Sequence, residues 1–181
     1  MTVPTWEQEG PQEGREKGWL RVTIAGRRLL QHTIKKTTGR MAREYFTKAD
    51  TFTRKMPLVK AARNVYRFLK KANLIKEFSY KDDYKLRHKL QIKALVALDD
   101  VETYLDTFDE EKKIPNKAEW VRLIIKTEDL LKGWIRSDNK RWKKVKEAKK
   151  AEKRAAKEAR KAERKAEKLK RKQLRASARR E

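Results

Sequence analysis

The sequence predicts an all-α protein, an antiparallel up-down four-helix bundle followed by a long basic C-terminal tail that is helical or partly disordered. Two observations predict the bundle. Between residues 27 and 139, four segments of about 20 residues repeat apolar side chains at helical spacing, and short connections join them. A third observation separates the tail, because after Asn139 Lys, Arg, Ala and Glu replace nearly all large apolar residues. We therefore expect a flexible N-terminal arm (1–26), the bundle (27–139) and the tail (140–181).

The region before the bundle is predicted to be an arm because residues 1–18 are rich in Pro, Gly and Glu and poor in apolar side chains. Apolar and polar residues then alternate from Trp19 to Ile24, as they do in a short strand. A lone strand has no partner in this sequence, so we expect a packed extended segment or an early helical turn.

The first two helices are separated by a predicted loop, Thr47 to Thr53. From Arg27 the spacing is helical, and the stripe of the first helix is Leu30, Ile34, Met41 and Tyr45, with Thr37 or Thr38 filling the gap. Pro57 suits the first turn of the second helix, where its missing N–H is not needed. The stripe of the second helix is Leu58, Ala62, Val65, Leu69 and Ala72.

The last two helices each have a capping-box pattern at the start, Ser79 with Asp82 and Asn116 with Glu119. The stripe of the third helix is Leu86, Leu90, Ala94, Ala97, Val101, Tyr104 or Leu105, and Phe108. The stripe of the fourth is Trp120, Leu123, Ile124, Leu130, Leu131, Trp134 and Ile135.

The charge balance indicates a polyanionic partner. Lys and Arg number 51 against 26 acidic residues, a formal net charge of +25, and residues 140–181 alone carry 21 Lys or Arg and 6 Glu. A compact protein with this charge repels itself, so we expect nucleic acid, an anionic membrane surface or an acidic protein as partner. The membrane is disfavoured, because no apolar run approaches the roughly 18 residues of a span and beyond residue 145 the tail has only Leu169 and Leu174 as large apolar residues.

The compartment is inferred from the first residues. Their Glu content is unlike that of a secretory signal or a transit peptide. We therefore expect a cytoplasmic protein, bacterial or phage-encoded, with an organelle as the open alternative.

Catalysis is not predicted. The two histidines, His32 and His88, fall on separate helices, and the pairs Asp82–Asp83 and Asp99–Asp100 are adjacent residues, which point about 100° apart on a helix. The sequence has no cysteine, no Gly-rich phosphate loop and no metal-spaced cluster. We expect no catalytic residue, no metal and no cofactor.

Basic residues are the candidates for nucleic-acid contact. Arg54 and Lys55 precede a stripe on the second helix, and its members are Lys60, Arg63, Arg67, Lys70 and Lys71. We interpret the stripe as a ridge that tracks phosphates, each contact releasing a counterion, against the alternative of a solvated face that keeps the protein soluble.

A second basic cluster follows the fourth helix. It consists of Arg136, Lys140, Arg141, Trp142, Lys143, Lys144 and Lys146. Trp142 is suited to stacking on an unpaired base, and the equal alternative is that it packs as the last core residue. Asp99, Glu102 and Asp106 start an acidic stripe that continues to Asp109 and Glu110 on the third helix. We interpret Asp99, Glu102 and Asp106 either as a protein-contact face or as a solvated face.

Short motifs at the helix ends suggest a family. Leu130 to Arg136 with Asn139-Lys140, the loop Ile114 to Asn116, and Arg54-Lys55 before the second helix carry the likeness, and Tyr104, Leu105 and Phe108 match in pattern only. These residues resemble the accessory variability protein (Avd) of diversity-generating retroelements, whose bundle the 23S rRNA intervening-sequence proteins share. The resemblance covers roughly residues 40–142, while the arm and the charged tail depart from the family.

The resemblance implies a noncatalytic subunit of a reverse transcriptase–RNA complex. Avd proteins form basic pentameric barrels and bind the reverse transcriptase and its template RNA, so a homo-oligomer, the reverse transcriptase and RNA or cDNA are the implied partners. The alternative is a structural rRNA-binding ribosomal protein, including a mitochondrial one, whose tail threads between rRNA helices. A third class is a scaffold that binds an acidic protein.

Overall fold

The computed structural model is helical in nearly all of the residues it describes, which are 20–38, 42, 46–76, 80–111, 114 and 116–177, with side chains for all of these except 110, 111, 169 and 172–177. This confirms the all-α prediction. The helices of the described residues are α1 (Arg21–Thr38), α2 (Met56–Leu74), α3 (Lys81–Glu111) and α4 (Lys117–Ser177), and a π-helical turn, Thr51–Lys55, leads into α2. The arm up to Trp19, the predicted stripe residues Met41 and Tyr45, and the predicted cap Ser79 lie outside the described residues.

Helix α1 begins at Arg21, six residues before the start predicted at Arg27, and this agrees with the alternative of an early helical turn before Ile24. The alternation from Trp19 to Ile24 resembles a strand, but Val22, Ala25 and Leu29 recur at helical spacing and are buried. Gly26 explains why the segment packs well: a Cβ there would lie 2.6 Å from Cδ1 of Leu69. The missing side chain therefore lets α1 approach α2 closely.

The buried face of α1 lies one residue away from the predicted stripe. Leu29, Thr33 and Thr37 are completely buried, whereas Ile34 is 37% exposed. The threonines tolerate burial because their hydroxyls donate to backbone carbonyls one turn earlier, Thr33 to Leu29 at 2.9 Å and Thr37 to Thr33 at 2.8 Å. The polarity of Thr33 concealed this face from the sequence pattern, which placed a threonine on the stripe only at Thr37 or Thr38.

Helix α2 follows its prediction closely. The whole predicted stripe from Leu58 to Ala72 is completely buried, and Pro57 occupies the first turn. The predicted loop is wrong in its second half, because the backbone is helical from Asp50 and π-helical from Thr51. The Asp50 carboxylate holds the start of this turn by accepting hydrogen bonds from the N–H and the hydroxyl of Thr47, both at 2.8 Å.

Helices α3 and α4 complete a core shared by all four helices. The buried apolar residues of α3 are Ala94, Ala97, Leu98, Val101, Leu105 and Phe108. The predicted Leu86 is 52% exposed, and Leu90 only packs against the edge of the core. In α4 the core residues at 9% exposure or less are Trp120, Ile124, Leu131 and Trp134, and buried Thr127 lies on the same stripe.

Specific contacts fix how α2 meets α3. The guanidinium of Arg87, near the start of α3, donates to the carbonyl of Ile75 at the end of α2. At the other end, Arg54 lies 6.0 Å from the ring of Phe108, and the ring of Phe46 lies 6.1 Å from that ring.

Helix α4 meets both α3 and α1. The Lys117 ammonium contacts the carboxylates of Asp106 and Asp109 at 3.0 and 2.9 Å. The indole N–H of Trp120 donates to the hydroxyl of Thr33 at 3.1 Å.

The backbone contacts divide the chain into two units, Met1–Ser137 and Asp138–Glu181. The first contains the core just described. In the second, the described residues 138–177 are helical, and every side chain from Lys146 to Lys168 is exposed.

Candidate nucleic-acid interface

The basic stripe of α2 is exposed along its whole length. Its five side chains point away from the buried stripe, and they are Lys60, Arg63, Arg67, Lys70 and Lys71. At about 1.5 Å of rise per residue, the stripe is roughly 16 Å long. Helix α2 contains no Asp or Glu, so no acid on the same helix neutralises these charges.

The two basic residues before α2 are less available. Arg54 is half-buried, its guanidinium lies 3.4 Å from the Asp50 carboxylate, and it also lies over the ring of Phe108. Lys55 is half-buried in the π-helical turn. Arg54 is therefore engaged within the chain, which the sequence pattern did not indicate.

The second predicted cluster is divided between the two units. In the first unit, Arg136 is exposed, and its Nε donates to the Lys132 carbonyl at 3.3 Å. In the second unit the exposed basic residues of the cluster are Lys140, Arg141, Lys143, Lys144 and Lys146.

Trp142 differs from its basic neighbours because only 8% of it is exposed. The Lys146 ammonium lies 5.9 Å from the centre of its ring. A base would stack on the indole only after the ring was uncovered.

The acidic face of α3 is only partly free to meet a partner. Asp99 and Glu102 are exposed, whereas Asp106 and Asp109 both contact Lys117. Hydrogen bonds from Lys117, first to Asp109 and then to Asp106, raise the pKa of the lysine. Asp99 and Glu102 therefore remain the stronger candidates for protein contact, and Glu110 has no described side chain.

Helix α1 adds basic residues that the sequence analysis missed. No Asp or Glu occurs between Glu16 and Glu44, and Arg21 and Lys35 are exposed on α1. The signal was the long absence of acids, rather than any spacing of lysines. Because α1 packs on α2 at Gly26, the acid-free region of the first unit comprises two neighbouring helices.

The histidines have separate surroundings. The ring of His32 packs edge-on against Trp120 with centroids 4.9 Å apart, and its Nδ1 lies 3.6 Å from the Glu119 carboxylate. Burial lowers the pKa of His32 although Glu119 opposes this, and Lys36 and Lys35 lower it further. His88 instead lies beside Tyr84 on α3, with ring centroids 5.8 Å apart.

Among the described residues, no group of three or more His, Cys, Asp or Glu side chains is suited to hold a metal ion. No helix in that part of the chain is both long enough and apolar enough to cross a membrane.

Comparison of the chain with models of protein families, with curated proteins and with solved structures finds no match. The candidate interface is therefore described by the geometry and charge of this chain alone.

Proposed function

We propose that this protein is a noncatalytic RNA-binding accessory protein. The observation that carries the proposal is the face of α2, where five exposed cations follow one another with no acid on the helix. An ordinary solvated face mixes both signs of charge, whereas a phosphate-binding face needs one. The acid-free α1 beside it extends the same surface.

We propose an antiparallel up-down four-helix bundle as the carrier of this surface. Arg87 at the start of α3 contacts Ile75 at the end of α2. Arg54, just before α2, contacts Phe108 near the end of α3. The end of α3 meets the start of α4 at Lys117, and the start of α3 meets α4 again where Arg87 lies 4.8 Å from the ring of Trp134. These paired contacts support opposite directions for consecutive helices.

We further propose that the protein serves in a reverse transcriptase–RNA complex of a diversity-generating retroelement. By its resemblance to Avd proteins, we expect it to act there as a homo-oligomer, a pentamer. The support is the likeness of Leu130 to Lys140 to the last helix of Avd proteins, together with the exposed Asp99 and Glu102 as a face for the polymerase or a second copy. A reverse transcriptase gene beside this one and a pentameric solution mass are the expected findings. A monomer encoded among ribosomal genes contradicts this assignment.

The second candidate function is structural rRNA binding in a ribosome. The long basic helix in residues 138–177 favours it, because a helix whose side chains from Lys146 to Lys168 are all exposed is suited to threading between RNA helices. Co-purification from the native host with sequencing of bound RNA separates the two, since one predicts a template RNA and the other rRNA.

The direct test of RNA binding removes three charges from α2. The variant changes Arg63, Arg67 and Lys70 to Gln, and the matched control changes three exposed lysines of α3, Lys81, Lys85 and Lys89, to Gln. Both lose three positive charges at exposed helical positions. With a single-stranded RNA oligonucleotide, the slope of log affinity against log salt should fall by about 2 in the α2 variant and by much less in the control.

Equal losses in the two variants would remove α2 from the interface. If the complete chain binds neither RNA nor DNA near physiological ionic strength, the proposed function is wrong.

A further inference from the structure

The charges of the C-terminal helix are segregated around its axis. Between Lys143 and Arg171 the helix has 15 Lys or Arg and 5 Glu. At about 100° per residue, 11 of the 15 lie within about 60° of Lys157 on either side. Between Lys143 and Arg171, this third of the circumference contains only Lys and Arg. We call these 11 residues the cationic face. The residues nearest its midline, within about 20° of Lys157, are Lys146, Lys150, Arg164 and Lys168.

The rest of the same helix is almost neutral. It holds the remaining 4 lysines, all 5 Glu, and mostly Ala between them, which is a net charge of −1. A helix whose charges serve only solubility gains by mixing signs at i,i+4 spacing. Here the side chains of Lys146 to Lys168 are all exposed, yet the positive excess is confined to one side.

We propose that the cationic face binds the phosphate backbone of a double-stranded nucleic acid along its length. This inference rests on the proposed function and names the form of the ligand for the second unit. The face follows one continuous helix for about 42 Å, at roughly 1.5 Å per residue. A duplex presents phosphates at fixed positions over such a length and pairs with a preformed row of cations at little conformational cost.

The absence of aromatic residues favours a duplex over a single strand. Single strands are held by bases stacked on aromatic side chains, and the sequence has none after Trp142. A membrane surface is less suited, because the opposite side of the helix is mostly Ala and offers little apolar area for insertion.

Like charges at i,i+4 spacing on the cationic face, such as Lys153 with Lys157, repel each other in the free protein. A duplex neutralises this repulsion. Bound duplex therefore stabilises the helix, and the far-UV circular dichroism of the complete chain should melt at a higher temperature with duplex than without it.

The decisive experiment compares two four-lysine variants of the complete chain. The face variant changes Lys146, Lys153, Lys157 and Lys168 to Gln. The control variant changes the four lysines outside the face, Lys144, Lys149, Lys165 and Lys170, to Gln. Lys and Gln have similar helix propensities, so both variants lose the same charge from the same helix without losing the helix.

Binding is measured with an RNA duplex, a DNA duplex and the corresponding single strands, matched in number of phosphates. We expect the face variant to lose about 3 from the salt slope for a duplex, and the control variant less than about 1. The two duplexes show whether A-form or B-form geometry is preferred.

Equal losses in the face and control variants, with wild-type binding intact, overturn the cationic face but leave the proposed function standing. Equal affinity for single strands and duplexes overturns the choice of a duplex. Tighter binding to phosphatidylserine vesicles than to either duplex, lost only in the face variant, also overturns it. Wild-type protein that binds no nucleic acid overturns both proposals.

Discussion

The hydrogen bond between α1 and α4 provides a sharp test of how the helices pack. Thr33 and Trp120 are 0% and 1% exposed, and the Trp120 indole N–H has the Thr33 hydroxyl as its acceptor at 3.1 Å. Thr33→Val keeps the shape of the side chain and removes that acceptor. The Thr33 hydroxyl also donates to the Leu29 carbonyl, which lies within helix α1. The main effect of the substitution is therefore that the indole N–H loses its acceptor.

The expected cost is that of leaving a buried donor unsatisfied. It amounts to about 1–3 kcal/mol, more than the net value of a typical hydrogen bond. The matched control is Thr38→Val, because the Thr38 hydroxyl donates to the Ile34 carbonyl at 2.7 Å on the exposed side of the same helix. That change should alter stability by less than about 0.5 kcal/mol.

Urea unfolding followed by circular dichroism measures both variants. With a slope of about 2 kcal/mol per molar urea, Thr33→Val should lower the midpoint by about 0.5–1.5 M. In a double-mutant cycle with Trp120→Phe, the combined loss should be smaller than the sum by about 1 kcal/mol or more, because the double variant has no indole donor to leave unsatisfied. A midpoint for Thr33→Val equal to that of Thr38→Val, or strictly additive losses in the cycle, would refute the docking of α4 on α1 at this point.

Three further predictions test the core, the helix backbone and the titration of the first unit. Leu98→Ala, at 2% exposure, should cost about 2–5 kcal/mol in urea unfolding, whereas Leu90→Ala at the core edge should cost less than about 2; the reverse order would mean that the helix faces are misassigned. Gly133→Ala should raise the melting temperature by about 2–4 °C, because a Cβ there meets nothing within 4 Å and Ala favours the helix by about 1 kcal/mol; a lower melting temperature would show that the open space is filled. Burial holds the pKa of His32 below 6.5, so the unfolded chain takes up its proton first as the pH falls, and stability should decrease from about pH 7 to about pH 5. His32→Gln should lose less stability over that range, and identical losses by the two proteins in urea unfolding would exclude His32 as the cause.

The sequence predicted the fold best where the buried residues are all apolar. In α2 the predicted stripe from Leu58 to Ala72 contains five of the six buried residues and misses only Ala61. In α1 the same method chose Ile34 over Thr33, since it counts threonine as polar and does not see a hydroxyl bonded to its own helix. In α3, buried Arg87 could not be predicted, because its burial depends on the Ile75 carbonyl and the Trp134 ring from two other helices.

The candidate site was predicted to a similar degree and for the same reason. Exposure follows from helical period, so the α2 stripe from Lys60 to Lys71 could be placed on the surface from the sequence alone. The ion pair of Arg54 with Asp50 could not be predicted, because it requires a helical turn where a loop was predicted. The sequence left open whether Trp142 is exposed or buried, and only 8% of it is exposed.

The distribution of charge, more than its total, is what favours binding over solubility. A net charge of +25 can be reached by scattering cations evenly, and mixed signs then keep neighbouring repulsion low. Among its helices in the described part of the first unit, this chain instead places every acid on α3 and α4, and α1 and α2 have none. In the second unit it keeps a third of the helix circumference free of acids for about 42 Å. Both arrangements raise the self-repulsion of the free protein, and an anionic ligand removes that cost when it binds. The same self-repulsion occurs in two separate segments of the chain. The simplest explanation is that both segments bind the same polyanionic ligand.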